Sequence, residues 1–185
     1  MSRFRPLTHG HLPEFIYFDT SFLILAAIGD QDQRLEAARF LRRLLEHGTH
    51  MIVSNLVLLE SWHAALLSAA EDYAGEGWEE DFKRPDFRKE VLPHAEPIMR
   101  RVDQILDSFV DRTQGQIVAI GTEDMDNAAR CMRAYGLDSY DASHAGVMMT
   151  YDIHDIATND RHFREVPDFN LWLFEGLCRD LRDNY

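Results

Sequence analysis

Four acidic side chains, far apart in the sequence, each follow the predicted end of a strand or lie on the helix after it; they are Asp19, Glu60, Asp141 and Asp160. In a parallel sheet, ligands bind at the edge where the carboxyl ends of the strands meet. Carboxylates brought together there would repel one another and raise each other's pKa values. Mg²⁺ and Mn²⁺ take oxygen ligands and would remove this repulsion. Two such ions about 4 Å apart can activate a water and stabilise the leaving oxygen of a phosphodiester.

Each acid also has a purely structural explanation. Asp19 could cap the helix that follows it, and Asp141 could be stabilised by the amide donors at a helix start. Asp160 could belong to a tight turn, for which Asn and Asp are typical. Glu60 differs, because it interrupts an apolar helix stripe, and a buried glutamate requires a partner. The other members of that stripe are Leu56, Ala64 and Leu67. Because all four acids would lie at one edge of the sheet, a metal site explains them better than capping alone.

Histidine offers one more candidate ligand. His144 shares a predicted helix face with Asp141, and an imidazole at that place could bind a metal ion or a substrate. The alternative for His144 is a packed histidine whose ring nitrogens are hydrogen-bonded within the protein.

Short apolar runs alternate with helical patterns, which predicts a parallel α/β sheet. The predicted strands are 15–18, 50–53, 116–120, 155–160 and 171–174. We expect a single domain over 1–185, with 1–13 as a loose N-terminal extension. Residues 71–96 contain many acids with Gly and Pro, and we expect an insertion or an extended helical hairpin there. Pro97 is expected to open the next helix, since proline is favoured at the first helical position.

Composition narrows the possible functions. The net charge of −13 argues against a protein that coats nucleic acid by bulk electrostatics, although acidic metal sites add negative charge themselves. No apolar run approaches the roughly 20 residues that span a bilayer, so we expect no membrane segment. The two cysteines, Cys131 and Cys178, form neither a metal nor a redox motif. A reducing cytoplasm is the simplest location.

Four short segments, taken together, resemble the PIN domain family, and most closely its VapC type of toxin nuclease. They are Tyr17-Phe-Asp19-Thr-Ser-Phe-Leu, Leu58-Leu-Glu60, Tyr140-Asp141-Ala-Ser-His-Ala and Ala157-Thr-Asn-Asp160-Arg-His-Phe. The resemblance covers roughly 14–174. It implies a three-layer α/β/α sandwich around a five-stranded parallel sheet, and a Mg²⁺- or Mn²⁺-dependent ribonuclease.

The resemblance also implies roles for individual residues. The acids that would bind the metal and act in catalysis are Asp19, Glu60, Asp141 and Asp160. The hydroxyls that would orient these carboxylates belong to Thr20, Ser21 and Thr158. Asp138 would be either a fifth acid at the rim of the site or only the cap of the helix that carries Asp141.

The same resemblance implies partners. The substrate would be RNA, and a small antitoxin would insert a helix or a basic side chain near the acids. Family members commonly form homodimers, and the apolar helices around Leu25 and Leu45 could supply the contact. The extension at 1–13 and the 71–96 region make this chain longer than a minimal toxin of this type.

Two other functions would also fit parts of the sequence. A catalytically silent PIN-like module could bind RNA or support an assembly, but the complete set of acids argues against a decayed site. A phosphatase with an aspartate nucleophile also begins with an apolar strand and Asp, as in the haloacid dehalogenase family. Its general acid would be a second Asp at the position of Ser21, so that interpretation is weak. Glycine-rich nucleotide-binding motifs are absent from the sequence.

Overall fold

The structure is a computed structural model that describes residues 3–113 and 115–183. The strands are β1 (Phe4–Pro6), β2 (Phe15–Phe18), β3 (His50–Ser54), β4 (Gln116–Val118), β5 (Asp155–Ala157) and β6 (Asn170–Leu173). The helices are α1 (Thr20–Ile28), α2 (Gln31–His47), α3 (Asn55–Ala74), α4 (Trp78–Phe82), α5 (Pro85–Thr113), α6 (Thr122–Tyr135), α7 (Ser139–Thr150) and α8 (Glu175–Asp183), with a 3₁₀ helix at Arg161–Glu165. Within the described ranges, no helix combines the length and the apolar character needed to cross a bilayer.

The sheet is entirely parallel, in the order β1-β6-β5-β2-β3-β4. The chain starts the central part of the sheet at β2, builds outward through β3 and β4, and then returns to place β5 on the other side of β2. Such a reversal of strand order opens a crevice at the carboxyl ends of the strands, where α/β proteins bind ligands. Asp19 directly follows β2 and therefore lies at this crevice.

Helices cover both faces of the sheet, as the predicted three-layer α/β/α architecture requires. Successive strand side chains point to opposite faces, and Tyr17 and Phe18 are both fully buried. Tyr17 contacts His144 of α7 on one face. Phe18 packs against Phe22 of α1 and Phe109 of α5 on the other. A continuous apolar strand is typical of this burial on two faces.

The prediction of five strands is wrong by one, because part of the N-terminal extension forms the edge strand β1. This strand pairs with β6, and side chains from distant elements hold the extension on both sides. Arg3 donates to the carbonyl oxygens of Val166 and Phe169. Arg43 of α2 donates to the carbonyl oxygens of Leu7 and His9. The extension is therefore part of the folded sheet and not a loose lead-in.

The prediction that Pro97 opens a helix is also wrong. Helix α5 begins twelve residues earlier at Pro85 and contains both Pro93 and Pro97. Each internal proline removes one backbone hydrogen bond. The residues whose carbonyls lose that bond, Lys89 and Pro93, lie on the exposed side of α5. Water can hydrogen-bond to carbonyls on that side, which allows the helix to continue.

Residues 71–96 complete a helical hairpin. Helix α3 continues to Ala74, and the short helix α4 lies in the connection between α3 and α5. Helix α5 then packs back along α3. The hairpin has a small apolar cluster of its own, separate from the main core. Its buried members are Ala65, Ala69, Ala70, Phe87, Val91 and Ala95, with Trp78 and Phe82 packed against them. The aromatic residues of this region therefore dock onto the parent helices.

Helix α7 lies very close to α6, because the residue at their contact, Gly146, has no side chain. A Cβ atom at Gly146 would lie 2.8 Å from the backbone nitrogen of Ala128 and closer still to the carbonyl oxygen of Asp124. Both neighbours are backbone atoms and cannot rotate away. The small residue is therefore what lets α7 bring Asp141 and His144 onto the sheet.

We predict that Gly146→Ala destabilises the protein, although alanine usually favours helices. Forcing a methyl group into this contact should cost about 1–3 kcal/mol, which lowers the melting temperature by several degrees. Gly176→Ala is the matched control, since a Cβ at Gly176 of α8 meets nothing within 4 Å. Thermal unfolding should therefore separate the two variants. Equal melting temperatures would contradict the close packing of α6 and α7.

Candidate metal-binding active site

The structure brings the four sequence-predicted acids together in one cleft of about 640 Å³. Asp19 follows the central strand β2, Glu60 lies on α3, Asp141 on α7, and Asp160 follows β5. Their ligand atoms form two adjoining groups. The first consists of Asp19, Glu60 and His144, and the second of Asp141, Asp160 and His162; within each group the atoms lie within 4.8 Å of one another.

Asp19 serves as a helix cap and faces the cleft at the same time. One carboxylate oxygen, Oδ2, accepts hydrogen bonds from Ser21, at 2.5 Å from Oγ and 3.4 Å from the amide nitrogen. The same oxygen accepts from Oγ1 of Thr158 at 2.8 Å. In residues 3–113 and 115–183, no hydrogen-bond donor reaches Oδ1. Capping therefore uses one oxygen of Asp19 and leaves the other available to a ligand.

Glu60 shows the same division between its two oxygens. Oε2 accepts from Oγ1 of Thr20 at 2.6 Å and from Nε2 of His144 at 2.8 Å, while Oε1 receives no hydrogen bond from the described residues. Burial alone would raise the pKa of Glu60. The hydrogen bond and charge of His144, with the hydroxyl of Thr20, outweigh burial and lower this pKa, so Glu60 stays ionised.

In the second group, the negative charges of the carboxylates are less fully compensated than in the first group. His162 Nδ1 lies 3.0 Å from Oδ1 of Asp160 and 3.5 Å from Oδ2 of Asp141. Burial is the largest cause that raises the pKa of Asp141 to about 7, and the charges of Asp160, Asp138 and Asp19 act in the same direction. The charge of His162 opposes them without cancelling them. The protein alone does not neutralise the carboxylates that it gathers here.

The predicted supporting hydroxyls connect the ends of two neighbouring strands. Ser21 Oγ lies 3.2 Å from Oγ1 of Thr158 and accepts from the amide of Asn159 at 2.8 Å. Thr158 Oγ1 in turn accepts from the amide of Asp160 at 2.9 Å. This network joins the segment after β2 to the segment after β5. It therefore fixes Asp19 and Asp160 relative to one another.

Asp138 acts as the cap of α7. Its Oδ1 accepts from the amides of Tyr140 and Asp141 at 2.8 and 3.0 Å. It is not among the residues that line the cleft, and its negative charge contributes to the raised pKa of Asp141.

Sequence reasoning missed the extent of the polar network around Glu60. His144 is 1% exposed, and it is hydrogen-bonded within the protein, as one of the two interpretations of this residue required. The phenol of Tyr17 lies 2.8 Å from Nδ1 of His144 and 2.8 Å from Oγ of Ser54. The sequence pattern places Tyr17 in the predicted strand 15–18 and indicates no hydrogen-bonding role for its phenol. A tyrosine in a strand buried on both faces was the available signal, because a buried phenol normally has a hydrogen-bond partner.

The stripe around Glu60 does not face the core. Leu56, Ala64 and Leu67 line the cleft with Glu60, and the buried face of α3 is formed by Val57, Ser61, Ala65, Ala69 and Ala70. Helix α3 thus has two apolar faces, and periodicity alone could not show which one is covered. Leu59 and Tyr140 also line the cleft and are 58% and 60% exposed. The acids therefore lie beside an apolar wall that is open to solvent.

The residues at this site fit a hard divalent cation. Four carboxylates offer oxygen ligands, which Mg²⁺ and Mn²⁺ prefer. Asp19 and Glu60 both line the cleft, and in each of them the described residues donate hydrogen bonds to one carboxylate oxygen only. The raised pKa of Asp141 indicates negative charge that a cation would neutralise.

Comparisons with known proteins agree with the geometry. The model of the PIN domain family matches residues 104–168, which include Asp141 and Asp160. Among solved structures, the VapBC2 complex of Rickettsia felis bound to a promoter DNA fragment matches with a TM-score of 0.54 and 14% identity, covering 87% of this chain and 99% of that chain. The protein has the fold of a PIN domain. A search of curated proteins gave no match.

Two further solved structures have a similar fold. VapC20 of Mycobacterium tuberculosis, a toxin that cleaves the sarcin-ricin loop, has a TM-score of 0.51 and 14% identity, covering 84% of this chain and 97% of that chain. PAE2754 of Pyrobaculum aerophilum has a TM-score of 0.52 and 18% identity, covering 91% and 89%. The predicted resemblance to PIN domains of the VapC type is confirmed, and at these identities it concerns the fold.

We predict that Asp141→Asn stabilises the protein in the presence of EDTA. The pKa of Asp141 is raised from 3.8 to about 7, so the stability that its neutral form provides is present below pH 3.8 and is lost as the pH rises through 7. Asparagine keeps that neutral form at every pH. At pH 8 the melting temperature should rise by several degrees, since about 1 kcal/mol corresponds to ~2–4 °C in a chain of this size.

The control for this experiment is Asp107→Asn on the exposed side of α5. It should leave the melting temperature within about 1 °C of the original protein, as surface substitutions usually do. The gain in Asp141→Asn should be smaller at pH 5 than at pH 8. A melting temperature that falls at pH 8 would show that the carboxylates of this site are not in repulsion.

Proposed function

We propose that this protein is a metal-dependent endoribonuclease that hydrolyses phosphodiester bonds of RNA, and that it is the toxin of a toxin–antitoxin pair. The observation that carries the proposal is the convergence of four carboxylates from four separate elements in one open cleft, with free oxygens on Asp19 and Glu60. The residues proposed to hold Mg²⁺ or Mn²⁺ are Asp19, Glu60, Asp141 and Asp160.

The metal and the protein would contribute different parts of the chemistry. When bound, the divalent cation supplies Lewis acidity and lowers the pKa of water. The chain's own residues orient the ligands, and Ser21, Thr158 and Thr20 hold the carboxylates in place by the hydrogen bonds described above. Without an ion, burial and the charges of Asp160, Asp138 and Asp19 raise the pKa of Asp141 to about 7; a bound cation would stabilise its ionised carboxylate.

The wall of the cleft supports RNA with unpaired bases as the substrate. Leu59 and Tyr140 are exposed beside the acids. In single-stranded RNA, unstacked bases can pack against aromatic and apolar side chains. Double-stranded RNA instead presents mainly its phosphates and sugar hydroxyls to a protein. A scissile phosphate at the acids would place its flanking bases against this wall. VapC20, one of the similar structures, is described as cleaving the sarcin-ricin loop.

The toxin assignment draws support from two similar structures, a VapBC complex and a VapC toxin. A small antitoxin that reaches the acids with a basic side chain would suit the negative cleft. A homodimer through α1 and α2 is also proposed. Leu25 and Leu45, on these helices, are partly exposed and pack against the core. A cytoplasmic location is part of the same proposal.

We predict RNA cleavage that depends on Mg²⁺ or Mn²⁺, stops in EDTA, and is lost in Asp19→Asn and Asp141→Asn. The loss should exceed about 100-fold, because even residues that only support a metal ligand cost 10- to 100-fold when removed. The measurement uses purified protein free of partners, with structured and single-stranded RNAs. Asp107→Asn is again the matched control and should cleave at the original rate.

Two results would contradict the nuclease assignment. Cleavage that persists in both site variants would identify a contaminant. Absence of both Mn²⁺ binding and cleavage would overturn the enzyme, and the RNA-binding or assembly module would then be the better explanation.

The toxin role has a separate test. Induced expression in a bacterial host should stop growth with the original sequence and with Asp107→Asn, because both keep the acids. Asp19→Asn should allow growth at a comparable protein level. Growth arrest by Asp19→Asn would show that toxicity does not depend on this site.

A further inference from the structure

A buried chain of hydrogen bonds reaches Glu60 from the interior of the sheet. It runs from Ser54 on β3 to Tyr17 on β2, then to His144 on α7, and ends at Oε2 of Glu60, with 2.8 Å at each of its three contacts. Ser54, Tyr17 and His144 are each at most 1% exposed. Three buried polar groups are thus aligned toward one carboxylate.

The direction of the last bond follows from the chemistry of its two groups. An ionised carboxylate can only accept, so Nε2 of His144 carries the proton that binds Glu60. Oδ1 of Asp19 is 3.7 Å from the same nitrogen, which is too far for a hydrogen bond. On the other side of the ring, Tyr17 holds Nδ1 and thereby fixes the plane of the imidazole. His144 therefore has one position, and its donor points at Oε2.

The consequence concerns the number of oxygens that Glu60 can offer. Oε2 already accepts from His144 and from Thr20, which occupies both of its lone pairs. Only Oε1 remains for a ligand. Mg²⁺ and Mn²⁺ favour octahedral coordination with single oxygens and retained waters, whereas Ca²⁺ readily accepts both oxygens of one carboxylate.

We propose that His144 is a positioning residue that restricts Glu60 to binding a cation through one oxygen, with Tyr17 and Ser54 as its support. The proposal rests on the metal site of the proposed function and adds the selection of the cation. It predicts that the site prefers Mg²⁺ and Mn²⁺ over Ca²⁺ because Glu60 cannot turn to offer both oxygens.

The test compares two substitutions at the same position. His144→Gln keeps an N–H donor at a similar distance from the backbone, whereas His144→Met fills similar space without a donor. We expect His144→Met to lose about 10- to 100-fold in Mn²⁺ affinity, the usual effect of removing a group that orients a metal ligand. His144→Gln should recover most of that loss. The ratio of Ca²⁺ to Mn²⁺ affinity should rise in His144→Met and stay near the original value in His144→Gln.

Titration calorimetry with Mn²⁺ and Ca²⁺ on the metal-free full chain measures these affinities, and melting temperatures confirm that each variant is folded. Tyr17→Phe removes only the hydroxyl that supports the ring, and it should produce a smaller change in the same direction as His144→Met. His47→Gln is the matched control, since His47 contacts the hydroxyl of Thr49 away from the cleft. It should bind both ions as the original protein does.

Several outcomes would overturn the proposal. Mn²⁺ affinity in folded His144→Met equal to the original would show that His144 does not position Glu60. Equal losses in His144→Met and His144→Gln, or nitrogen coupling in the electron spin-echo spectrum of bound Mn²⁺, would make the imidazole a direct ligand. If the original protein binds Mn²⁺ as expected but cleaves no RNA, the nuclease fails while the role of His144 is still decided by these affinities.

Discussion

Repulsion among carboxylates at one edge of the sheet is the constraint around which this structure is arranged. Most proteins avoid gathering partly buried acids, because each added charge raises the free energy of the folded state. Here the parallel sheet places Asp19 and Asp160 side by side at the point where the strand order reverses, and α3 and α7 add Glu60 and Asp141. A fold that keeps such an arrangement without neutralising it is suited to a cation.

The hydrogen bonds around the acids show how the protein tolerates this repulsion. Donors from Ser21 and Thr158 bind Oδ2 of Asp19, and donors from Thr20 and His144 bind Oε2 of Glu60. Oδ1 of Asp19 and Oε1 of Glu60 receive no hydrogen bond from residues 3–113 and 115–183. The same side chains thus stabilise the charges in the absence of a ligand and orient them for one. For Asp19, helix capping and ligand binding are complementary roles of two different oxygen atoms.

The fold class could be predicted from the sequence because it depends on local patterns, and so could the position of Asp19, whereas the proposed roles of the four acids stay a prediction. Buried parallel strands are continuous apolar runs, and a polar residue directly after such a run lies at the sheet edge. Other features depend on contacts between distant residues. The edge strand β1 is only three residues long and is held by Arg3 and Arg43, so no local periodicity marks it. The ring of His144 could be placed only once α7 was known to pack against Tyr17.

The most direct test of the central claim is anomalous diffraction at the manganese edge from crystals grown or soaked with Mn²⁺. A divalent-cation site predicts an anomalous peak in the cleft, within bonding distance of oxygens from Asp19, Glu60, Asp141 or Asp160, with Oε1 and not Oε2 of Glu60 facing the ion. A well-ordered cleft without such a peak at millimolar Mn²⁺, or a peak only at a different surface, would contradict the account.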